Sequence, residues 1–208
     1  WNVLYRCGSL PCGPYEHDRV ATCAVCSPPH STVPYTRWGH RSCPGPSSSL
    51  IYSGFAAGSH YHHTGSGANI VCLTEAPVFP PGFGQTSHRF SALLYGTEYE
   101  GSGKNQNGDA ACAMCSYEGR SVYVQWGRHD CGQGQETLYK GFVMAEYHRH
   151  QKSEFVCVDY SRSVHAHSSS RSDNGNLWYH ATYRCGSLPC GPYAHVVQAS
   201  CAVCGIPW

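Results

Sequence analysis

Apolar residues along this chain fall in short runs, and the runs are divided by Gly, Pro, Ser and Asn rather than by polar helix formers. The segments Leu50–Tyr52, Ile70–Leu73, Val122–Trp126, Glu154–Val158 and Leu177–Tyr183 are rich in β-branched and aromatic residues and end at turn formers, which predicts strands. No window of about 11 residues carries a convincing helical stripe, and Ala92–Tyr99 is the one weak candidate. The expected fold class is all-β. Two stretches read as long surface loops: Thr74–Ser91, rich in proline, and Ser161–Asn176, rich in serine. The longest apolar runs, such as Phe142–Ala145, fall far short of the roughly 18 residues a membrane helix needs.

The pattern also repeats. Tyr-Arg-Cys-Gly-Ser-Leu-Pro-Cys-Gly-Pro-Tyr occurs at Tyr5–Tyr15 and again at Tyr183–Tyr193. Cys-x-x-Cys pairs at Cys23/Cys26, Cys112/Cys115 and Cys201/Cys204 stand at equal spacing. Trp38-Gly39…Cys43 answers Trp126-Gly127…Cys131, Ile51–Phe55 answers Leu138–Phe142, and Tyr61-His62 answers Tyr147-His148. Ile70–Leu73 likewise answers Phe155–Val158. The organisation expected is a partial copy over 1–30 followed by two tandem disulfide-rich units of about 89 residues, 31–118 and 119–208.

Fourteen cysteines in 208 residues, an even number, read as the disulfide framework of a secreted protein. They fall in even blocks: Cys7, Cys12, Cys23 and Cys26 in the tail, then Cys43, Cys72, Cys112 and Cys115, then Cys131, Cys157, Cys185, Cys190, Cys201 and Cys204. Pairing within blocks is permitted, and four cysteines alone allow three connectivities. Tetrahedral zinc on the repeated pairs is the rival, and a thioredoxin-like redox role is weaker because no βαβ context surrounds them. A net charge of +1 offers no basic stripe for nucleic acid and no polybasic face for a membrane. The chain reads as a mature one, without a targeting peptide. No Asn-x-Ser/Thr sequon is present.

Candidate chemistry centres on histidine. His60-Tyr61-His62-His63 in the first unit matches Glu146-Tyr147-His148-Arg149-His150 in the second. On strands, His60 and His62 would share one face, as would Glu146, His148 and His150, giving each unit a polar binding surface. Trp38 with His40, and Trp126 with Arg128, could offer a flat indole for a sugar ring beside hydroxyl donors, although a tryptophan in an alternating strand is more often core. Asn105–Asp109 and Asp173–Asn176 resemble calcium loops in part, lack the terminal Glu, and are also ordinary turn formers. No Gly-x-Ser-x-Gly elbow, His-Glu-x-x-His helix or phosphate loop occurs, so no enzymatic activity and no obligatory cofactor are expected.

Several strings together resemble one family. They are Arg37-Trp-Gly39 running to Cys43-Pro44, Leu50-Ile-Tyr-Ser-Gly54, Ala57-Gly-Ser-His60-Tyr-x-His63-Thr-Gly65, Cys72-Leu73, Tyr95-Gly-x-Glu98-Tyr99, Phe155-Val-Cys-Val-Asp159, Asn174-Gly175 and Cys185-Gly-Ser-Leu-Pro-Cys190. Spread over nearly all of 35–204, they are similar to the cysteine-rich C-terminal region of sponge short-chain collagens and its marine-invertebrate relatives. Some of that group look like β-galactoside-binding lectins, so the resemblance implies an extracellular, glycan-binding or matrix protein. It supplies no set of ligand residues. The chain departs from the pattern in having no Gly-x-y stretch, an added tail copy, and Glu146-Tyr-His-Arg where the first unit has His60-Tyr-His-His. The expected function is a secreted lectin for galactose-type glycans. The alternatives are a structural matrix protein that assembles as a homo-oligomer through its Tyr/His surface and tail, and a metal-binding protein.

Overall fold

A computed structural model describes residues 2–28, 31–79, 81, 91–101, 103, 105–168 and 171–208. Its described residues form strands β1 (Val3–Arg6), β2 (Thr32–Trp38), β3 (Ser48–Gly58), β4 (Val71–Thr74), β5 (Ala92–Tyr99) and β6 (Ala111–Glu118), then β7 (Ser121–Trp126), β8 (Glu136–Ala145), β9 (Val156–Asp159), β10 (Asn176–His180) and β11 (Ser200–Ile206). No helix occurs among them, so the fold is all-β. Ala92–Tyr99, the weak helical candidate, is a strand because β1 and β10 hydrogen-bond it on parallel registers and β3 on an antiparallel one.

Seven strands close a barrel in the order β3–β5–β10–β8–β9–β2–β6 and back to β3. Two of the joints, β2 with β9 and β5 with β10, are parallel and join residues from opposite halves of the chain. β4 and β1 flank β3 and β5, while β11 pairs with both β7 and β8. A barrel leaves few unpaired edges, which suits strands this short. Its centre holds Trp178, fully buried, edge-on to Trp38 at 5.9 Å and tilted against Tyr99 at 6.0 Å.

One ion pair sits at the parallel β2–β9 joint. The Arg37 guanidinium donates to Asp159 Oδ2 at 2.9 and 2.7 Å, with the side chains only 11% and 6% exposed, and Ser161 donates its amide and hydroxyl to Asp159 Oδ1. Every oxygen of the buried carboxylate is thereby satisfied.

Six disulfides form: Cys43–Cys115 and Cys72–Cys112, Cys131–Cys204 and Cys157–Cys201, and the short loops Cys7–Cys12 and Cys185–Cys190. Such bonds are compatible with an extracellular protein. Cys23 and Cys26 depart from the expected framework and stand as exposed thiols. The partners their equivalents use, Cys72 and Cys43 or Cys157 and Cys131, are already bonded.

The N-terminal tail packs on its own chain. Tyr5, Leu10 and Tyr15 cluster with Phe55 and Ala57, and the Tyr15 hydroxyl donates to the Thr74 carbonyl. Gly96 permits the approach, since a Cβ there would stand 1.9 Å from the Ser9 carbonyl oxygen. The described part of the serine-rich stretch is mostly exposed and irregular, as expected of a surface loop, but His165 within it is 1% exposed, lies 3.8 Å from the Phe55 ring and approaches Glu75 at 3.2 Å. Glu75 is partly desolvated, which raises its pKa, but hydrogen bonds with Ser53, His165 and Arg41 outweigh that and hold it at about 2. Of the proline-rich stretch, Pro80 and 82–90 lie outside the described residues.

Candidate functional site

The two histidine clusters do not lie on strands. His60–His63 follows the end of β3 and Glu146–His150 follows the end of β8, both in turns, because Gly58-Ser59 and the Gly65–Gly67 stretch on one side and the polar run from Arg149 on the other break the alternation. The sharing of faces expected from strand geometry therefore does not apply. Both strands end at the same side of the barrel, and the turns meet.

Backbone hydrogen bonds join them: Gln151 N donates to Tyr61 O at 2.9 Å, Tyr61 N to Gly175 O at 3.0 Å, and Glu154 N to Ala68 O at 2.9 Å. Ring contacts surround the join, and the Tyr61–His150 pair crosses it. Tyr61 stands 4.6 Å from His150, His60 lies 4.9 Å from Tyr95 and 4.7 Å from His63, and Tyr147 is 5.6 Å from Tyr179. What the sequence presents as one surface per unit is a single shared site.

Between the turns is a cavity of about 360 Å3, lined by Ser59–Tyr61, His63–Ala68, Glu146, His150–Ser153 and Asn176. Its floor is a fixed polar network. Glu146, its side chain 4% exposed, accepts from the Leu177 amide at 2.7 Å and the Asn176 side-chain amide at 3.2 Å and pairs with His150 Nδ1 at 3.0 Å. Asn176, 1% exposed, also accepts from Thr97 Oγ1 at 3.0 Å. Burial raises the Glu146 pKa against the opposing hydrogen bonds. Burial and the neighbouring His63 and His62 push His60 down to about 4, and burial with Arg6 and His62 lowers His63. Near neutral pH both imidazoles are uncharged; His60 Nδ1 accepts from the His62 amide at 3.2 Å, which leaves its Nε2–H to donate, while His63 carries one donor and one acceptor.

The remaining sequence candidates lie elsewhere. Trp38 packs into the barrel core against Trp178, the more frequent fate of a strand tryptophan. His40 hydrogen-bonds Ser161 at 2.9 Å, and burial followed by Arg37 lowers its pKa. Trp126 is 48% exposed on β7, and Arg128 pairs with Asp130 on the open surface. His62 and His148 are exposed beside the cavity and do not line it. Asn176, Gln151 and Ser153 escaped the sequence reading as ligand groups. Only Asn176 left a signal, in its Asn/Asp-rich turn.

The two calcium-like segments act as turns: Asn107 and Asn174 take left-handed backbone angles (φ 58° and 51°), and Asn105 Nδ2 donates to Arg162 O at 2.9 Å. Among the described residues no three His, Cys, Asp or Glu side chains are grouped to hold a metal ion. These turns do flank Glu98, which is fully buried on β5. Burial, then the charges of Asp109, Asp173 and Glu100, push its pKa up to about 8 from 4.5. Between those two values the folded chain holds a proton that the unfolded chain has released, so this group costs stability as pH rises through the window. Replacing Glu98→Gln should flatten that fall and raise the denaturation midpoint at pH 8 while changing it little at pH 5. An unaltered pH slope in denaturant titrations would contradict this.

A second cavity, about 750 Å3, lies between the tail and the β3–β5 face, with Tyr5, Tyr15, Tyr52, Val71, Leu73, Cys23 and Cys26 among its walls. Set against protein-family models and curated proteins, the chain matches none at a significant level.

Proposed function

We propose that this is a secreted, non-catalytic carbohydrate-binding protein, and that galactose-type glycans occupy the cavity where the β3 and β8 turns meet. The observation carrying this reading is the convergence of the Tyr/His clusters on one open, polar cavity of about 360 Å3. That size is at the small end of ordinary ligand sites. A sugar presents hydroxyls that both donate and accept, and an apolar ring face. Neutral His60 and His63 meet the first need above a floor that the buried Glu146 and Asn176 hold in place, and the Tyr61 and His150 rings meet the second. The likeness to sponge short-chain collagens and their lectin-like relatives points the same way, and the six disulfides suit secretion.

In this reading the barrel is two repeat-related halves, 31–118 and 119–208, preceded by a partial copy. Its support is that β2–β6, β3–β6 and β3–β5 pair as β7–β11, β8–β11 and β8–β10 do. Each half contributes one turn, so the chain carries one composite site.

A glycan array run with and without chelator tests the proposal. Binding to galactose-terminated glycans should persist in chelator and fall at least about tenfold, or ~1.4 kcal/mol, in His60→Ala and in Glu146→Gln. It should also weaken as pH drops toward 4, where His60 gains its charge. No glycan binding, or binding indifferent to both substitutions, would remove the lectin reading. A structural matrix role is the second reading, favoured by the two exposed thiols of the tail.

A further inference from the structure

The same six residues, apart from one Thr/Ser exchange, meet opposite fates in this molecule. Ala199-Ser-Cys-Ala-Val-Cys204 runs into β11 between β7 and β8, with Cys201 and Ala202 at 0% exposure, Val203 at 3% and both cysteines bonded. Ala21-Thr-Cys-Ala-Val-Cys26 is exposed from Cys23 onward, its Val25 at 103%, and both cysteines are free. Nothing in the residues themselves accounts for the contrast. Cys112 and Cys115, on β6 between β2 and β3, follow the buried pattern.

The approach to the exposed segment is already folded as its counterpart is. Leu4 bridges Val20 as Thr182 bridges Gln198, Cys7 bridges Leu10 as Cys185 bridges Leu188, and Ala21 N donates to Val3 O as Ala199 N does to Ala181 O. Tyr5 meets Tyr15 at 5.0 Å, edge-on, as Tyr183 meets Tyr193 at 5.1 Å. The tail is therefore a finished lead-in, held on this chain by β1 and the Tyr15 cluster, to a segment that pairs with no strand.

We propose that Thr22–Cys26 is the closing strand of another β-unit, one of this same repeat type that lacks its own last strand. It would insert between that unit's first two strands, as β11 lies between β7 and β8, and two disulfides would lock it there. By the connectivity seen twice here, Cys23 bonds a cysteine placed like Cys157, and Cys26 one placed like Cys131. The two thiols do not close on each other in this arrangement, because residues three apart on a strand face opposite sides. Each bond joins two sulfurs as both thiols release their protons. The two electrons per bond pass to a disulfide-bearing oxidant, which leaves as a dithiol. The unit belongs either to the same polypeptide or to a separate chain, and its chemistry is the same in both cases.

Mass mapping of the secreted protein, alkylated and digested without reduction, is the test. Peptides containing Cys23 and Cys26 should each appear linked to a different cysteine lying outside residues 1–208. If the unit is a separate chain, reduction will lower the mass of the intact protein; if it is the same polypeptide, reduction will leave that mass essentially unchanged. Alkylated Cys23 and Cys26, a Cys23–Cys26 bond, or bonds to those same positions in a second copy would each overturn the proposal. The recombinant 208-residue chain supplies a control: it should take up two thiol labels per molecule, and C23S/C26S should take up none while melting as the parent does.

Discussion

Replacing Cys157 and Cys201 together by alanine should lower the unfolding free energy by about 4 kcal/mol, the chain-entropy value for a loop of that length. The bond spans 44 residues and ties β9 to β11 across β8. Its counterpart Cys72–Cys112 spans 40 and should cost about as much. Against the roughly 5–15 kcal/mol that holds a typical domain, either loss is large. The internal comparison is Cys185–Cys190, which closes a five-residue separation and should cost about half as much. Denaturant titrations of the three double-alanine variants would check the ordering. Equal losses for long and short loops would mean that restriction of the unfolded chain is not the source of the stability.

Arg37→Met is the second substitution with a large expected effect, a loss of about 3–5 kcal/mol. It removes the cation and leaves Asp159 buried with Ser161 as its remaining donor among the described residues. Most of that cost is the desolvated carboxylate rather than the lost attraction. Arg37→Met combined with Asp159→Leu should therefore recover much of the stability, although the pair spans the parallel β2–β9 joint that closes the barrel. A double variant as unstable as the single one, in the same denaturant assay, would show that the joint depends on the ion pair itself.

Much of the fold was legible because it rests on local chemistry. β-branched and aromatic runs at Val122–Trp126, Glu154–Val158 and Leu177–Tyr183 cover all but one terminal residue of β7, β9 and β10. β6 and β11 were not legible, since Ala-Cys-Ala-Met-Cys-Ser and Ser-Cys-Ala-Val-Cys-Gly have weak strand propensity. They are strands because each is hydrogen-bonded on both sides. Ala92–Tyr99 shows the same influence in reverse, a poor local pattern overridden by three neighbours. His165 gave no sign of burial because its partners Phe55 and Glu75 are about 100 residues away.

By itself the sequence determined the all-β class and the oxidised character of most cysteines, since alternation, turn residues and cysteine number are read directly from the chain. Which cysteines join, that Trp38 faces inward, and that the His60 and Glu146 turns build one cavity were decided only by the tertiary structure. Those outcomes depend on the parallel β2–β9 and β5–β10 joints, where segments remote in the chain meet because closing the barrel satisfies their backbone groups.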